Sequence, residues 1–167
     1  MDDSNAVYRR FVCCIGICAV LPYLVPYAKR RPILVFAWIY GPIPGIAAGT
    51  MDGIMQLVQG AYVIHPMQFL LDYILPFAVL GIAGLFRKDN QLPLGIVLGS
   101  AARFIIHVLS GVIYFASSAP AGQSPLLYSL GYNATYLVPE LIICLAIVLV
   151  PRMKHALIRI KHEAKIA

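Results

Sequence analysis

Residues 67–86, 92–116 and 126–150 form three long apolar runs. Each reaches the roughly 20 residues that a helix needs to cross a bilayer. In hydrocarbon every backbone N–H and C=O must find a partner inside the protein, so only helices and closed barrels span a membrane. Barrel strands alternate apolar and polar residues. These runs are continuous, which selects helices. Composition points the same way: 60% of the 167 residues are hydrophobic, mean hydropathy is +0.81, and only 12% are charged. Soluble domains carry about a quarter charged residues. The chain is therefore expected to be an all-α integral membrane bundle.

Shorter apolar stretches precede these three. Residues 8–26 form one, bent or ended by Pro22 and Pro26. Residues 33–40 and 46–58 form two more, separated by Gly41, Pro42, Pro44 and Gly45. Six transmembrane helices result, in a single membrane domain over residues 1–167, with residues 152–167 as a basic tail. The first run resembles a signal peptide because Arg9 and Arg10 precede it. However, Lys29, Arg30 and Arg31 follow it and no small-residue cleavage site intervenes, so it reads as a membrane span.

The net charge of +6 does not point to nucleic acid. Of the thirteen Lys and Arg, nine lie near the N-terminus, at Arg87 and Lys88, or in the C-terminal tail. Six spans put all of those on one side, and the positive-inside bias makes that side cytoplasmic. The expected location is the cell membrane, multi-pass, with both termini cytoplasmic. The basic loop Lys29, Arg30 and Arg31 is the exception. Cys13, Cys14, Cys18 and Cys144 sit in apolar helices without zinc-ligand spacing and read as small buried residues.

The chemistry lies between Tyr62 and Asn133. Asp72, Arg103 and His107 interrupt apolar runs, and such groups must be paired, hydrated or bound. Topology places most of the polar and aromatic residues at one depth. Asp72 and Tyr73 are about one and a half turns from the outer end of their helix. His107, Gly111 and Phe115 follow at four-residue steps on one face of the next helix. Tyr128 and Asn133 occupy the first two turns of the last span, and Tyr62 the outer loop. Arg103 and Glu140 lie deeper, about 20 Å from the outer ends at roughly 1.5 Å per residue. They are either a structural ion pair or a pocket floor. Asp52 reads as interfacial, near the cytoplasmic end of its helix.

A carboxylate, aromatic rings, a histidine and an asparagine suit a small aromatic cation. The rings attract positive charge, and Asn offers both donor and acceptor. Plainer readings exist for each residue: tyrosines form interfacial belts, and a membrane histidine often bonds helix to helix. Ser129, His107 and Asp72 could be imagined as a hydrolytic triad. No glycine-rich elbow surrounds Ser129, and neither a HExxH nor a Walker A motif occurs. The expectation is not an enzyme, with no cofactor and no metal. The chain is also short for a secondary transporter and has no obvious internal repeat. A small binding subunit that needs a partner fits better.

The segments AYVIHPMQFLLDYILPFAVLGIAGLFR, RFIIHVLSGVIYF and LLYSLGYN resemble the thiamine-specific S component of energy-coupling factor (ECF) vitamin transporters, the ThiT family. The resemblance implies a six-helix membrane protein that binds thiamine, a membrane scaffold (T) subunit and two cytoplasmic ATPase subunits as partners. It implies that Asp72, Tyr73, Tyr62, Arg103, His107, Gly111, Phe115, Tyr128 and Asn133 form the substrate site. A vitamin or thiamine precursor of pyrimidine type is the alternative ligand. Three positions depart from the family, which typically has Glu at Asp72, Trp at Phe115 and Lys at Arg103. The family also has a tryptophan in the first outer loop, whereas the only one here, Trp38, falls in the second span. Family members meet the scaffold through small residues spaced by four on the first helix, where this chain has Cys14 and Cys18.

Overall fold

The computed structural model describes residues 31–58, 60 and 62–166. The expected span 8–26, with Cys14 and Cys18, and most of the basic loop after it lie outside the described residues. Those residues form helices and no strand: α1 (Arg31–Tyr40), α2 (Pro42–Val58), α3 (Pro66–Leu85), α4 (Leu92–Tyr114), α5 (Pro125–Leu149) and α6 (Pro151–Ile166). Three of them, α3, α4 and α5, are long and apolar enough to cross a membrane, at 20, 23 and 25 residues. The shorter α1 and α2 have 10 and 17 residues.

The break between α1 and α2 is set by Gly41, whose φ of +109° is open to glycine and strained for other residues. Pro42 and Pro44 do not delay α2 as expected. They occupy its first turn, where a missing N–H costs nothing because that N–H has no helical partner. The earlier start moves Asp52 ten residues into α2, or roughly 15 Å along it. It is therefore mid-helix, and the expected place near the helix end is corrected.

Two packing features position the site. Gly45, Gly49 and Gly53 recur at four-residue spacing on one face of α2. A Cβ at Gly49 would lie 2.1 Å from the carbonyl oxygen of Phe77, and one at Gly53 2.1 Å from that of Tyr73. The backbones of α2 and α3 therefore touch, as small residues allow in membranes, where no hydrophobic force pulls helices together. The second feature is Pro76, which has no N–H to offer the carbonyl of Asp72 four residues earlier. The turn just before it, Leu70–Ile74, opens into a π-helix. The helix then tightens to 3₁₀ geometry over Val79–Leu85, whereas the sequence had promised a regular helix over residues 67–86.

The apolar core sits at the end of the bundle that carries the 86–91 loop. Ile33, Leu34, Ala37 and Trp38 of α1 pack there against Phe77, Leu80, Ala83, Ile96, Cys144 and Val148. Leu157, Ile158 and Ala164 of α6 cover this cluster. The basic tail is thus a helix folded back onto the bundle. Lys161 fastens it: fully buried at 0% exposure, it donates to the carbonyl of Arg87 and, at 2.8 Å, to Oδ1 of Asp89. Its ammonium also lies 4.0 Å from the centroid of the Trp38 ring. His162 meets the other Asp89 oxygen at 3.1 Å, and Trp38 Nε1 donates to the carbonyl of Lys88 at 3.2 Å. The hydrogen bond from Lys161, then that from His162, holds the Asp89 carboxyl below the usual carboxylate range.

Candidate ligand-binding site

At the opposite end of the bundle, α3, α4 and α5 enclose a cavity of about 440 Å³. That lies within the roughly 300–1,000 Å³ of small-molecule sites. The π-turn of α3 supplies Asp72 and Tyr73, and the next turn Phe77. His107, Gly111 and Phe115 come from one face and the end of α4; α5 supplies Tyr128, Ser129, Tyr132, Asn133 and Tyr136. Gln56 of α2 and Ser118 complete the wall. Among these lining residues only Asp72 carries a formal charge, and it faces a largely aromatic enclosure.

The acid is held in place from the loop before it. Buried Gln68, one turn earlier on α3, donates to Asp72 Oδ2 and to the carbonyl of Tyr62 at 3.3 Å. Tyr73 Oη donates to the same carbonyl at 3.3 Å. Tyr62 thus contributes its backbone to the site while its side chain, 71% exposed, is not among the lining groups. His107 Nδ1 lies 3.8 Å from Asp72 Oδ1. That is an ion-pair distance but too long for a direct hydrogen bond.

Gly111 exists for the α4–α5 contact. A Cβ there would lie 2.1 Å from Ser129 Oγ. That hydroxyl donates across the interface to the carbonyl of Val108 at 3.0 Å, and Asn133 Nδ2 donates back to the carbonyl of Ser129 at 2.9 Å. Tyr136 Oη donates to Asn133 Oδ1. Ser129 is therefore bonded to backbone and not to His107, so no nucleophile–base pair forms. Among the described residues no cluster of His, Cys, Asp or Glu could hold a metal.

Tyr132 and Tyr136 were missed from the sequence, along with Gln56, Phe77 and Ser118. Their signal was present: Tyr128, Tyr132 and Tyr136 recur every four residues and so share a helix face. Their rings follow one another at 6.3 and 5.9 Å, and Tyr136 meets His107 edge-on at 6.4 Å.

Arg103 is placed differently from the other expected residues. It is 2% exposed and lies outside the cavity lining. Its guanidinium sits over the Phe77 ring at 5.2 Å. Nη1 donates to Glu140 at 3.3 Å, and Nε donates to His107 Nε2 at 3.3 Å. The structure thus joins Asp72, Tyr73, His107, Gly111, Phe115, Tyr128 and Asn133 around one space. It leaves the Tyr62 ring outside and Arg103 behind Phe77.

Over residues 27–160 the chain matches the family described as Thiamine transporter protein (Thia_YuaJ). A thiamine transporter ThiT of Bacillus subtilis (strain 168) is 40% identical over 133 residues, covering 71% of this chain and 69% of that protein. A second ThiT, from Lacticaseibacillus paracasei, is 31% identical over 120 residues, covering 61% of this chain and 60% of the relative. A solved structure of ThiT from Listeria monocytogenes superposes with a TM-score of 0.70 at 19% identity, over 87% of this chain and 98% of that one, which speaks to the fold. The chain belongs to the Thia_YuaJ family of thiamine transporter proteins.

Proposed function

We propose that this protein is the thiamine-binding S component of an ECF-type vitamin importer, capturing thiamine at the outer face of the cell membrane. The observation that carries the reading is Asp72, the one formal charge in an aromatic cavity. Thiamine joins a cationic thiazolium to an aminopyrimidine, and both rings stack. A carboxylate lining a cavity among membrane helices calls for a counter-charge, and aromatic faces attract one. The nine expected site residues divide into two roles: those lining the cavity would touch ligand, whereas Arg103 and Tyr62 support it from behind and above. A scaffold subunit and two cytoplasmic ATPases would supply the energy, since the chain carries no nucleotide-binding motif of its own. Both termini would then be cytoplasmic.

The departures from the family alter the fit. Asp72 is one methylene shorter than Glu, and Phe115 presents a smaller face than Trp. The Arg103 guanidinium forks between His107 and Glu140, which the point charge of a lysine cannot reproduce. Titration calorimetry of the purified protein is the direct test. The single tryptophan, Trp38, is buried in the core at the other end of the bundle and is a poor reporter of ligand. Saturable heat with thiamine at micromolar concentration is expected, and none would overturn the reading. Asp72→Asn removes a charged interaction of roughly 1.5–3 kcal/mol. Thiamine affinity should therefore fall about 10- to 100-fold, with a smaller loss for a neutral pyrimidine analogue. An equal loss for both would make Asp72 a hydrogen-bonding or structural group.

A further inference from the structure

Arg103 is buried, charged and absent from the cavity wall, so its effect on the site must pass through something it touches. It touches the cavity at two residues. One is Phe77, whose ring it covers. The other is His107, one turn along α4, whose Nε2 accepts the Arg103 Nε–H at 3.3 Å. A histidine nitrogen that accepts has no proton, so the ring proton resides on the other nitrogen, and which one is protonated is set by the bond the partner nitrogen makes. The other nitrogen here is Nδ1, 3.8 Å from Asp72 Oδ1. Glu140 holds the opposite side of the guanidinium through Nη1, so the fork cannot turn away from His107 without breaking an ion pair. Tyr136, from the same helix as Glu140, closes the remaining side of the imidazole edge-on.

We propose that Arg103 is a positioning residue that holds His107 as its Nδ1–H tautomer, so that the imidazole presents a donor, not an acceptor, beside Asp72. The cavity then offers an acceptor carboxylate and a donor imidazole 3.8 Å apart, too far to satisfy each other by hydrogen bonding and both open to a ligand. The row Glu140, Arg103, neutral His107 and Asp72 runs from the back of the site to its acid. The first two neutralise each other, which leaves the charge of Asp72 uncompensated by Arg103. The consequence for ligand choice rests on the thiamine reading; the tautomer itself does not.

The two are separated by measuring the tautomer without ligand. Protein carrying ¹⁵N-histidine has four histidines, His65, His107, His155 and His162, and His107→Gln identifies the resonances of His107 by their disappearance. A protonated Nδ1 and an unprotonated Nε2 are expected in the wild-type protein near neutral pH. Arg103→Met, or the double variant Arg103→Met with Glu140→Leu if the single variant does not fold, should shift those resonances toward the Nε2–H form. It should also weaken thiamine binding about tenfold, the size of one hydrogen bond of ordinary strength. A wild-type protein with protonated Nε2, or a double variant with an unchanged tautomer, would overturn the proposal. Failure of the wild-type protein to bind thiamine would overturn the transport reading and leave the tautomer result standing.

Discussion

Each end of the bundle buries a cation, and the two are solved differently. At the core end Lys161 is completely enclosed and well supplied: a carbonyl, a carboxylate oxygen and an aromatic face take its ammonium. At the cavity end Arg103 has His107, Glu140 and the Phe77 ring, yet its Nη2 makes no hydrogen bond with the described residues. Its counter-ion Glu140 is also shielded, with the pair at 2% and 15% exposure, whereas Asp89 is 40% exposed. A buried ion pair recovers its desolvation only with good geometry and added hydrogen bonds. Lys161 has that supply and acts as a fastener. Arg103 has less of it, and a protein retains such an arrangement where the polar groups serve a site.

Removing the counter-charge at each end tests that contrast. Glu140→Gln takes the counter-ion from Arg103 in a low-dielectric interior and should destabilise by about 3–5 kcal/mol, read as a large drop in thermal midpoint in detergent. A loss under about 1 kcal/mol would mean that water already serves the pair and the contrast is false. Next in size is Gly111→Ala. Its added methyl would meet Ser129 Oγ at 2.1 Å, and overpacking of this kind costs about 1–3 kcal/mol. The α4–α5 contact should open, weakening both stability and thiamine binding; unchanged binding would show that the cavity tolerates a shift of α5.

Asp89→Asn should do least, under roughly 1 kcal/mol, because its exposure screens the pair. It is visible nonetheless, since Trp38, the one tryptophan, touches Lys161. A red shift in its emission is expected, and none would place the fastening in the Arg87 carbonyl alone. The same clasp gives a pH prediction. The Asp89 carboxyl is held below its ordinary value in the folded protein, so its contribution is present above the unfolded value, near 3.9, and is lost as pH falls through the folded value. Trp38 emission should therefore stay constant through neutral pH and change only in strong acid. A change already at neutral pH would show that the Asp89 carboxylate does not set the clasp.

How far the site was legible depends on what each residue needed. Asp72, His107 and Asn133 announced themselves because polar groups in apolar runs require explanation, and helix order alone placed them at one depth. Tyr132 and Tyr136 carried an equally plain four-residue rhythm, but rhythm names a shared helix face and not what that face meets. Asp52 was misplaced because two prolines looked like breakers when they were helix starters. The glycine series Gly45, Gly49 and Gly53 was readable as a close-packing stripe; which backbone it would meet was not.

The sequence by itself determined an all-helical membrane chain, its long spans, and the polar residues that lipid would not accept unpartnered. These follow from backbone hydrogen bonding and burial, which act residue by residue. Only the tertiary structure decided that Asp72 lies in a π-turn, that Tyr62 contributes a carbonyl and Arg103 a bond to His107, and that the basic tail is a helix locked over Trp38. Those depend on distances between residues up to 74 positions apart. No periodicity encodes such a distance, because it is fixed by how closely the glycine-lined helices approach and by which partner a buried charge then finds within reach.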